Sequence, residues 1–402
     1  MRLFHKIFTI ACLSSAAAFP GLAQADTAPP AIQAFLANIE RQMAVKPSYD
    51  ALKDDGNGTV TITNLTLTKP AKGEEAAITM KSAEAVFSGI TDQGSSLYQV
   101  GKASFTNTSV EIVDKDVTLS ASVPTVSAEG WYIRAVSAAP TPQEEFLATT
   151  TLARQMSSGP ITLTTAGQTF TVDGFASTWN GDPATGAGKF TLKINNVAIP
   201  EAVVSQMDQG GLLKQLGYQT LNFDLVSDGD ITRTGDNLGY AFNLSLSGRN
   251  IGSLSMGTSI TDIPLAVYTA MMAAETNGKP ADYAALSPQM QNILVNGASI
   301  RFEDASIVKK LLPLAAATQG MDEKTLLASI PPMVQLTLIQ FQNEAFTKQA
   351  VDAISRFLAE PKSFTISAKP TAPLKLSDFN ALDPNKPGDA ITKLGITVTA
   401  ND

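Results

Sequence analysis

Thr59-Val-Thr-Ile-Thr-Asn-Leu-Thr-Leu-Thr68 alternates apolar and hydroxyl side chains, the period of a strand with one buried face. Val60 and Ile62 share a face, but beyond Asn64 the apolar positions are Leu65 and Leu67, one step out of phase. A bulge or corner at Asn64 reconciles the two halves. Ala76 to Ser88, Leu97 to Val113, Val117 to Val123 and Trp131 to Ser137 continue the same texture. Long Ser/Thr-rich strands with one apolar face predict an antiparallel sheet covered on that side.

Ahead of these strands, Ile32, Phe35, Leu36, Ile39 and Met43 recur at helical spacing, and Glu40 and Arg41 supply no basic rim for a membrane surface, so the stripe reads as core. Downstream, Pro142 to Met156 reads as a helix with Glu144 and Glu145 in its first turn. Strands resume at Ile161 to Thr165, Gln168 to Phe175 and Lys189 to Ile194. Further strands fall at Gln219 to Val226, Asp230 to Thr234, Leu238 to Leu246 and Ile251 to Ile260.

Three corners organise the second half: Phe190 to Pro200, Ile260 to Leu265 and Ile300 to Ile307, each a strand handing over to a helix. Pro200 and Pro264 suit a first helical turn, while Asp262 and Asp304 suit caps. Asn196, Asp262 and Asp304 read as turn and cap residues rather than metal ligands. Helical runs follow at Glu201 to Leu216, Leu265 to Glu275 and Ala305 to Thr318. Asp304 to Leu358 is mostly helical, interrupted near Gly320 and Pro331-Pro332, with Val334 to Leu358 as one helix before Pro361. Phe364 to Ala368 and Gly395 to Thr399 close the chain as strands.

The predicted fold class is α+β. Long curved antiparallel sheet or sheets occupy the N-terminal and central regions, with helices on the apolar face, mainly in the C-terminal half. The expected divisions are 1–25, a signal peptide; 26–58, an N-terminal helix and turn; 59–140, an antiparallel β region; and 141–402, a mixed region of strand-to-helix units.

The first 25 residues carry basic Arg2 and Lys6, an apolar run from Ile7 to Phe19, and Ala23-Gln24-Ala25, which fits the small-x-small cleavage rule. Cleavage after Ala25 is expected, leaving 377 of 402 residues and a periplasmic protein. Lipidation at Cys12 is the minor alternative. The single histidine, His5, and the single cysteine, Cys12, would leave with the signal. That removes disulfides, Cys or His zinc sites and every Ser-His or Cys-His arrangement from the mature chain. Without Arg2 and Lys6 the charge is 27 basic against 37 acidic residues, or −10. An acidic chain without basic clusters excludes nucleic acid as the expected partner.

Several local patterns resemble sites and fail on a required residue. Lys53 to Val60 places Asp55, Asn57 and Gly58 like part of an EF-hand loop, but Lys53 and Asn64 occupy the positions that need carboxylates. Asn180 to Lys189 has the glycine spacing of a phosphate loop, with Ala187 where Lys is required, and reads as a hairpin. Ser306-Ile-Val-Lys309 has the Ser-x-x-Lys spacing without its companion motifs. The sequons at Asn57, Asn64, Asn107 and Asn243 read as incidental to Thr-rich strands. Met271, Met272, Met290, Met321 and Met333 fit core filling better than a ligand groove. No catalytic, cofactor-binding or metal residue is assigned, no cofactor is expected, and ligand-binding residues stay unassigned.

The texture from Thr59 onward, with Phe357-Leu-Ala-Glu-Pro-Lys-Ser-Phe-Thr-Ile-Ser-Ala-Lys-Pro370 and Leu394-Gly-Ile-Thr-Val-Thr-Ala-Asn401, resembles envelope proteins of Gram-negative bacteria of the YdgA-like and AsmA-like kinds. The resemblance implies an elongated antiparallel sheet with helices on its apolar face and a part in lipid or outer-membrane upkeep. The residues themselves, a one-sided sheet and apolar helices without a catalytic constellation, suit a non-enzymatic binder or carrier of lipid or another apolar ligand. Two alternatives stay open: a structural module with a packed core that meets other envelope proteins, and a hydrolase working without histidine.

Overall fold

The computed structural model describes residues 28–402 apart from 44–45, 72–75, 116, 138, 151 and 277–281. The expected signal, its boundary at Ala25, and His5 and Cys12 lie outside the described residues, as does the side chain of Met43.

In chain order, helix α1 (Pro30–Met43) precedes β1 (Ala51–Asp54), β2 (Thr59–Lys69), β3 (Ala77–Asp92), β4 (Leu97–Asp114) and β5 (Val117–Arg134). Helix α2 (Pro142–Thr149) leads to β6 (Leu152–Ser158), β7 (Ile161–Thr165), β8 (Gln168–Val172), β9 (Gly174–Gly181) and β10 (Gly188–Ile199). Short helices α3 (Glu201–Met207) and α4 (Leu212–Gln215) come before β11 (Leu221–Thr234), β12 (Asn237–Gly248) and β13 (Gly252–Pro264). Helices α5 (Leu265–Thr276) and α6 (Tyr283–Met290) separate β13 from β14 (Leu294–Asp304). Next are α7 (Ile307–Thr318), α8 (Glu323–Leu338), a 3-10 turn at Ile339–Phe341 and α9 (Glu344–Ala359). The chain ends with β15 (Ser363–Ala368), β16 (Leu374–Lys375), α10 (Leu376–Phe379), α11 (Pro387–Leu394) and β17 (Ile396–Ala400). The protein is α+β and β-rich, its described strands pair antiparallel, and its helices lie mostly later in the chain.

Two compact units divide these elements: residues 1–198 with 265–284, and residues 199–264 with 285–402. In the first, β1 to β5 form consecutive antiparallel pairs. Strands β6 and β7 then lie end to end along β5 in one unbroken register: Val126 faces Ser158 and Ser122 faces Thr162. Strands β8 and β9 continue the sheet in the same way, and β10 follows.

The pairing lapses along one line that crosses the whole sheet. It runs from Asp50 through Asn64, Ala83, Asn107, Pro124, Pro160 and Asp173 to Asn196, as the registers on either side require. Asn64, Asn107 and Asn196 have φ of 51°, 47° and 48°, the left-handed region that asparagine tolerates better than other side chains. Both ends are tied by side chains: Asn64 Nδ2 donates to Asp50 Oδ2 at 2.6 Å, and Asn196 Nδ2 reaches both Asp173 oxygens at 3.2 Å. Two prolines, Pro124 and Pro160, oppose each other where the missing N-H groups leave no ladder bond to lose.

Each strand reverses its inward parity at this crease. Val60 and Ile62 give way to Leu65 and Leu67, Met80 and Ser82 to Ala85 and Phe87, and Ala121 and Val123 to Val126 and Ala128, all buried. The shift at Asn64 is therefore one point of a sheet-wide feature. A second lapse, six residues further along, joins Gly89, Gly101 and Gly130, with φ of 64° at Gly89 and 57° at Gly130. These two creases correct the expected break between Val117–Val123 and Trp131–Ser137, since β5 runs through both.

The core of this unit is aromatic. Ile32, Phe35, Leu36 and Ile39 of α1 are buried, as the helical stripe predicts. Phe35 meets Phe87 at 4.9 Å and Trp131 edge-on at 5.4 Å, and Phe87 meets Phe105 edge-on at 5.7 Å. Helix α2 starts with a capping box between Thr141 and Glu144 and buries Phe146, which packs edge-on against Tyr268 of α5 at 5.4 Å. The expected helix Pro142 to Met156 stops at Thr149. Leu152 to Met156 is instead strand, because its backbone is claimed by β5 on one side and by β9 on the other.

In the second unit β11, β12, β13, β14, β15 and β17 pair in that order, each antiparallel to the next, and β16 adds to β14. Asp262, expected as a cap, sits inside β13 with φ of 57° where the register with β12 shifts by one residue. Asp304 does cap: its Oδ1 accepts from Val308 N-H at 2.9 Å. The run Glu201 to Leu216 is two short helices, with Gly211 in the left-handed region between them. The expected helix Val334 to Leu358 is also divided. α8 runs through Pro331 and Pro332, and the break comes where Gln342 has φ of 54° and Asn343 accepts from Phe346 N-H at 3.0 Å to start α9.

Candidate ligand-binding face

Register places the side chains of β12 to β15 in rows. Leu246, Leu254, Phe302 and Phe364 lie directly across from one another, and so do Leu244, Met256, Ile300 and Ile366. Directly opposed residues share a face, so this side of four strands is apolar. The alternate positions Ser245, Ser247, Ser253, Ser255, Ser299, Thr365 and Ser367 make the other side hydroxyl-rich, with Ser255 donating to Ser245 at 3.0 Å.

Burial on this sheet is inverted. Phe242, Leu246, Leu254, Met256, Ile300 and Ile366 are each 38–50% exposed, whereas the serines between them are half-buried. An ordinary one-sided sheet hides its apolar rows and wets its hydroxyls. A contiguous exposed apolar patch is the informative exception, and it marks a surface that meets something else.

Helices cover only the ends of that face. At one end Ala350 and Ala353 of α9 bury Val398 and Ala400, and Phe357 packs edge-on against Phe302 at 6.2 Å and at a tilt against Phe364 at 5.6 Å. At the other, Leu311 and Leu314 of α7 pack with Phe223 and Ile251 on a cluster of Ile199, Val204, Leu216, Tyr218 and Leu221. Tyr218 is fixed there by its hydroxyl, which donates to Asn250 O at 2.6 Å, and by the Lys310 ammonium 3.9 Å from its ring centre. Helix α8 joins α7 to α9 and packs on both. Met333, Leu336 and Ile339, on α8 and the turn after it, are 63–73% exposed. Met271 is likewise exposed, so neither it nor Met333 is core filling.

The sequence-level site candidates resolve into local structure. Asp55 Oδ1 accepts from Asn57 N-H at 2.7 Å and Thr59 N-H at 3.0 Å, and the Thr59 bond is the larger cause holding its carboxyl below the usual range. Those bonds close a turn between β1 and β2. Asn180 to Lys189 is the β9–β10 hairpin, with Asp182 N-H bonded to Ala187 O at 2.8 Å. Ser306 donates its hydroxyl to Asn250 O at 2.6 Å, so its chemistry is that of a helix start. Among the described residues no group of three or more acidic, cysteine or histidine side chains is placed to hold a metal ion. A recess of about 300 Å³ in the first unit is lined by hydroxyl and charged side chains such as Thr79, Lys81, Glu111 and Thr164 together with Val110 and Ala121.

A family model described as "Uncharacterized protein" matches residues 245–401. The matched stretch contains the face from Leu246 onward and the helices α7 to α9. No curated protein and no solved structure matches the chain. Among the described residues no helix is long and apolar enough to cross a membrane.

Proposed function

We propose that the protein is a non-enzymatic binding protein of the bacterial envelope, exported to the periplasm, which holds lipid or another apolar ligand on the open face of β12 to β15. The observation that carries this reading is the inverted burial, with six large apolar side chains open to solvent while the serines between them are half-buried. The envelope setting draws support from the signal-like residues 1–25 and from the resemblance to YdgA-like and AsmA-like proteins.

Fully burying one such side chain is worth about 1.5–3 kcal/mol, so covering the open part of six contributes about 4–8 kcal/mol from the protein's side. The costs of association are of similar size, so net binding draws on burial of the ligand's own apolar surface as well. The test is titration of the protein with a fluorescent fatty acid. Met256→Glu with Ile300→Glu is expected to weaken binding at least about tenfold, because burying a carboxylate unpaired is costly. Ser247→Glu, on the opposite side, is expected to leave it unchanged. Equal affinity in all three proteins, or no binding by any, would remove the support for this reading and favour an interaction surface for another protein.

A further inference from the structure

We infer that α8 is the lid of the apolar face: it swings on its two ends to lay Met333, Leu336 and Ile339 over Leu254, Met256 and Ile300. Phe302, Phe364, Val398 and Ala400, covered by α9, belong to the same side of the sheet as the open rows. Phe223, packed with α7, faces that side too, two residues from Leu225, which lies opposite Leu246. α8 packs on both of these helices, with Leu326 buried and Leu338 against the α9 cluster, so it bridges the two supports.

Two apolar surfaces in one unit are thus left uncovered, and a single helix movement would cover both. The ends of α8 are suited to pivot. Gly320, before it, has φ of 67°, and Gln342, after it, is a non-glycine residue in the left-handed region with φ of 54°. Pro331 and Pro332 remove two backbone donors inside α8 and lower the resistance of the helix to bending. Hinge positions at element ends that absorb a φ change are the usual means by which a lid moves over a fixed site.

The inference rests on the carrier reading for its purpose, but the movement itself is tested with no ligand present. In the full chain carrying Cys12→Ser, Leu336→Cys is combined with Met256→Cys in one protein and with Ser255→Cys, on the opposite side of β13, in another. Under mild oxidation the Met256 pair is expected to form its disulfide at least about ten times faster, read as a mobility shift reversed by reductant. Equal rates, or no cross-link in the Met256 pair, would overturn the lid. Should either double variant fold poorly, a second pair of positions on β13 serves instead. Leu336→Cys is then paired with Leu254→Cys in one protein and with Ser253→Cys in another; the Leu254 pair is expected to cross-link at least about ten times faster, and equal rates would equally overturn the lid. A face that binds the fatty-acid probe without meeting α8 fails the lid alone, and a cross-link without probe binding fails the carrier reading alone.

Discussion

Replacing Asn107 tests whether the crease in the first unit is set by backbone conformation. Asn107 is exposed, has φ of 47° and lies mid-strand in β4, where pairing with Pro124 lapses. An L-residue in the left-handed region costs roughly 1–2 kcal/mol, asparagine suffers least after glycine, and a β-branched residue suffers most. Asn107→Val is therefore expected to destabilise by about 1–2 kcal/mol, although valine favours strands elsewhere. Asn107→Gly is expected to stay within about 0.5 kcal/mol, since relief of strain is offset by glycine's larger loss of freedom. Ser109→Val is the control, two residues along on the exposed side of the same strand, and is expected to be neutral or slightly stabilising. Urea unfolding followed by tryptophan fluorescence reports the first unit, where Trp131 and Trp179 both lie. If Val is as harmless at 107 as at 109, the crease does not depend on a left-handed residue and the reasoning fails.

Other perturbations follow from specific contacts. Gly174 has φ of 128°, and a Cβ there would lie 2.6 Å from Ser158 O, so Gly174→Ala is expected to cost about 2–3 kcal/mol in the same urea measurement. Asn401 ties the end of α9 to the start of β15: its Nδ2 donates to Arg356 O at 3.1 Å and Glu360 O at 2.8 Å, while its Oδ1 accepts from Ser363 N-H at 3.2 Å. Asn401→Ala is expected to cost about 1–2 kcal/mol, seen as earlier helix loss by circular dichroism. Asp322 is held below the usual carboxylate range by the Thr325 hydroxyl and then the Thr325 N-H, and Asp402 by the Thr399 hydroxyl ahead of Arg301. A depressed folded pKa gives stability that is present above the unfolded value and lost as pH falls through the folded one. The urea midpoint followed by circular dichroism, which includes the second unit where both carboxylates lie, is thus expected to fall below about pH 4, less steeply in Asp322→Asn, and a midpoint that rises on acidification would contradict it.

Much of this structure was legible in the chain because its signals are local. Alternation marks β2 to β4, the α1 stripe marks a core helix, and all three strand-to-helix corners are present. The phase slip at Leu65 exposed the crease at one strand, but its course across the sheet depends on registers that no single segment encodes. Strand β6 was hidden because Leu152 to Met156 carries no alternation of its own, and its partners β5 and β9 decide its state. Pro331-Pro332 suggested a helix break, yet the cap at Asn343 was the stronger stop. For the candidate face, the spacings Phe242-x-Leu244-x-Leu246 and Leu254-x-Met256 are plain in the sequence. Their exposure is not, because it is set by where α7 and α9 end over the sheet, a tertiary outcome.

The central claim is that the open face carries an apolar ligand, and the direct measurement is of what the protein holds. The full chain is expressed in a Gram-negative host, purified without detergent, extracted with organic solvent, and the extract is identified by mass spectrometry beside that of Met256→Glu with Ile300→Glu. The account predicts a defined acyl-chain lipid in roughly stoichiometric amount from the unaltered protein and its loss from the variant. Recovery of no lipid from either, or the same amount from both, would contradict it.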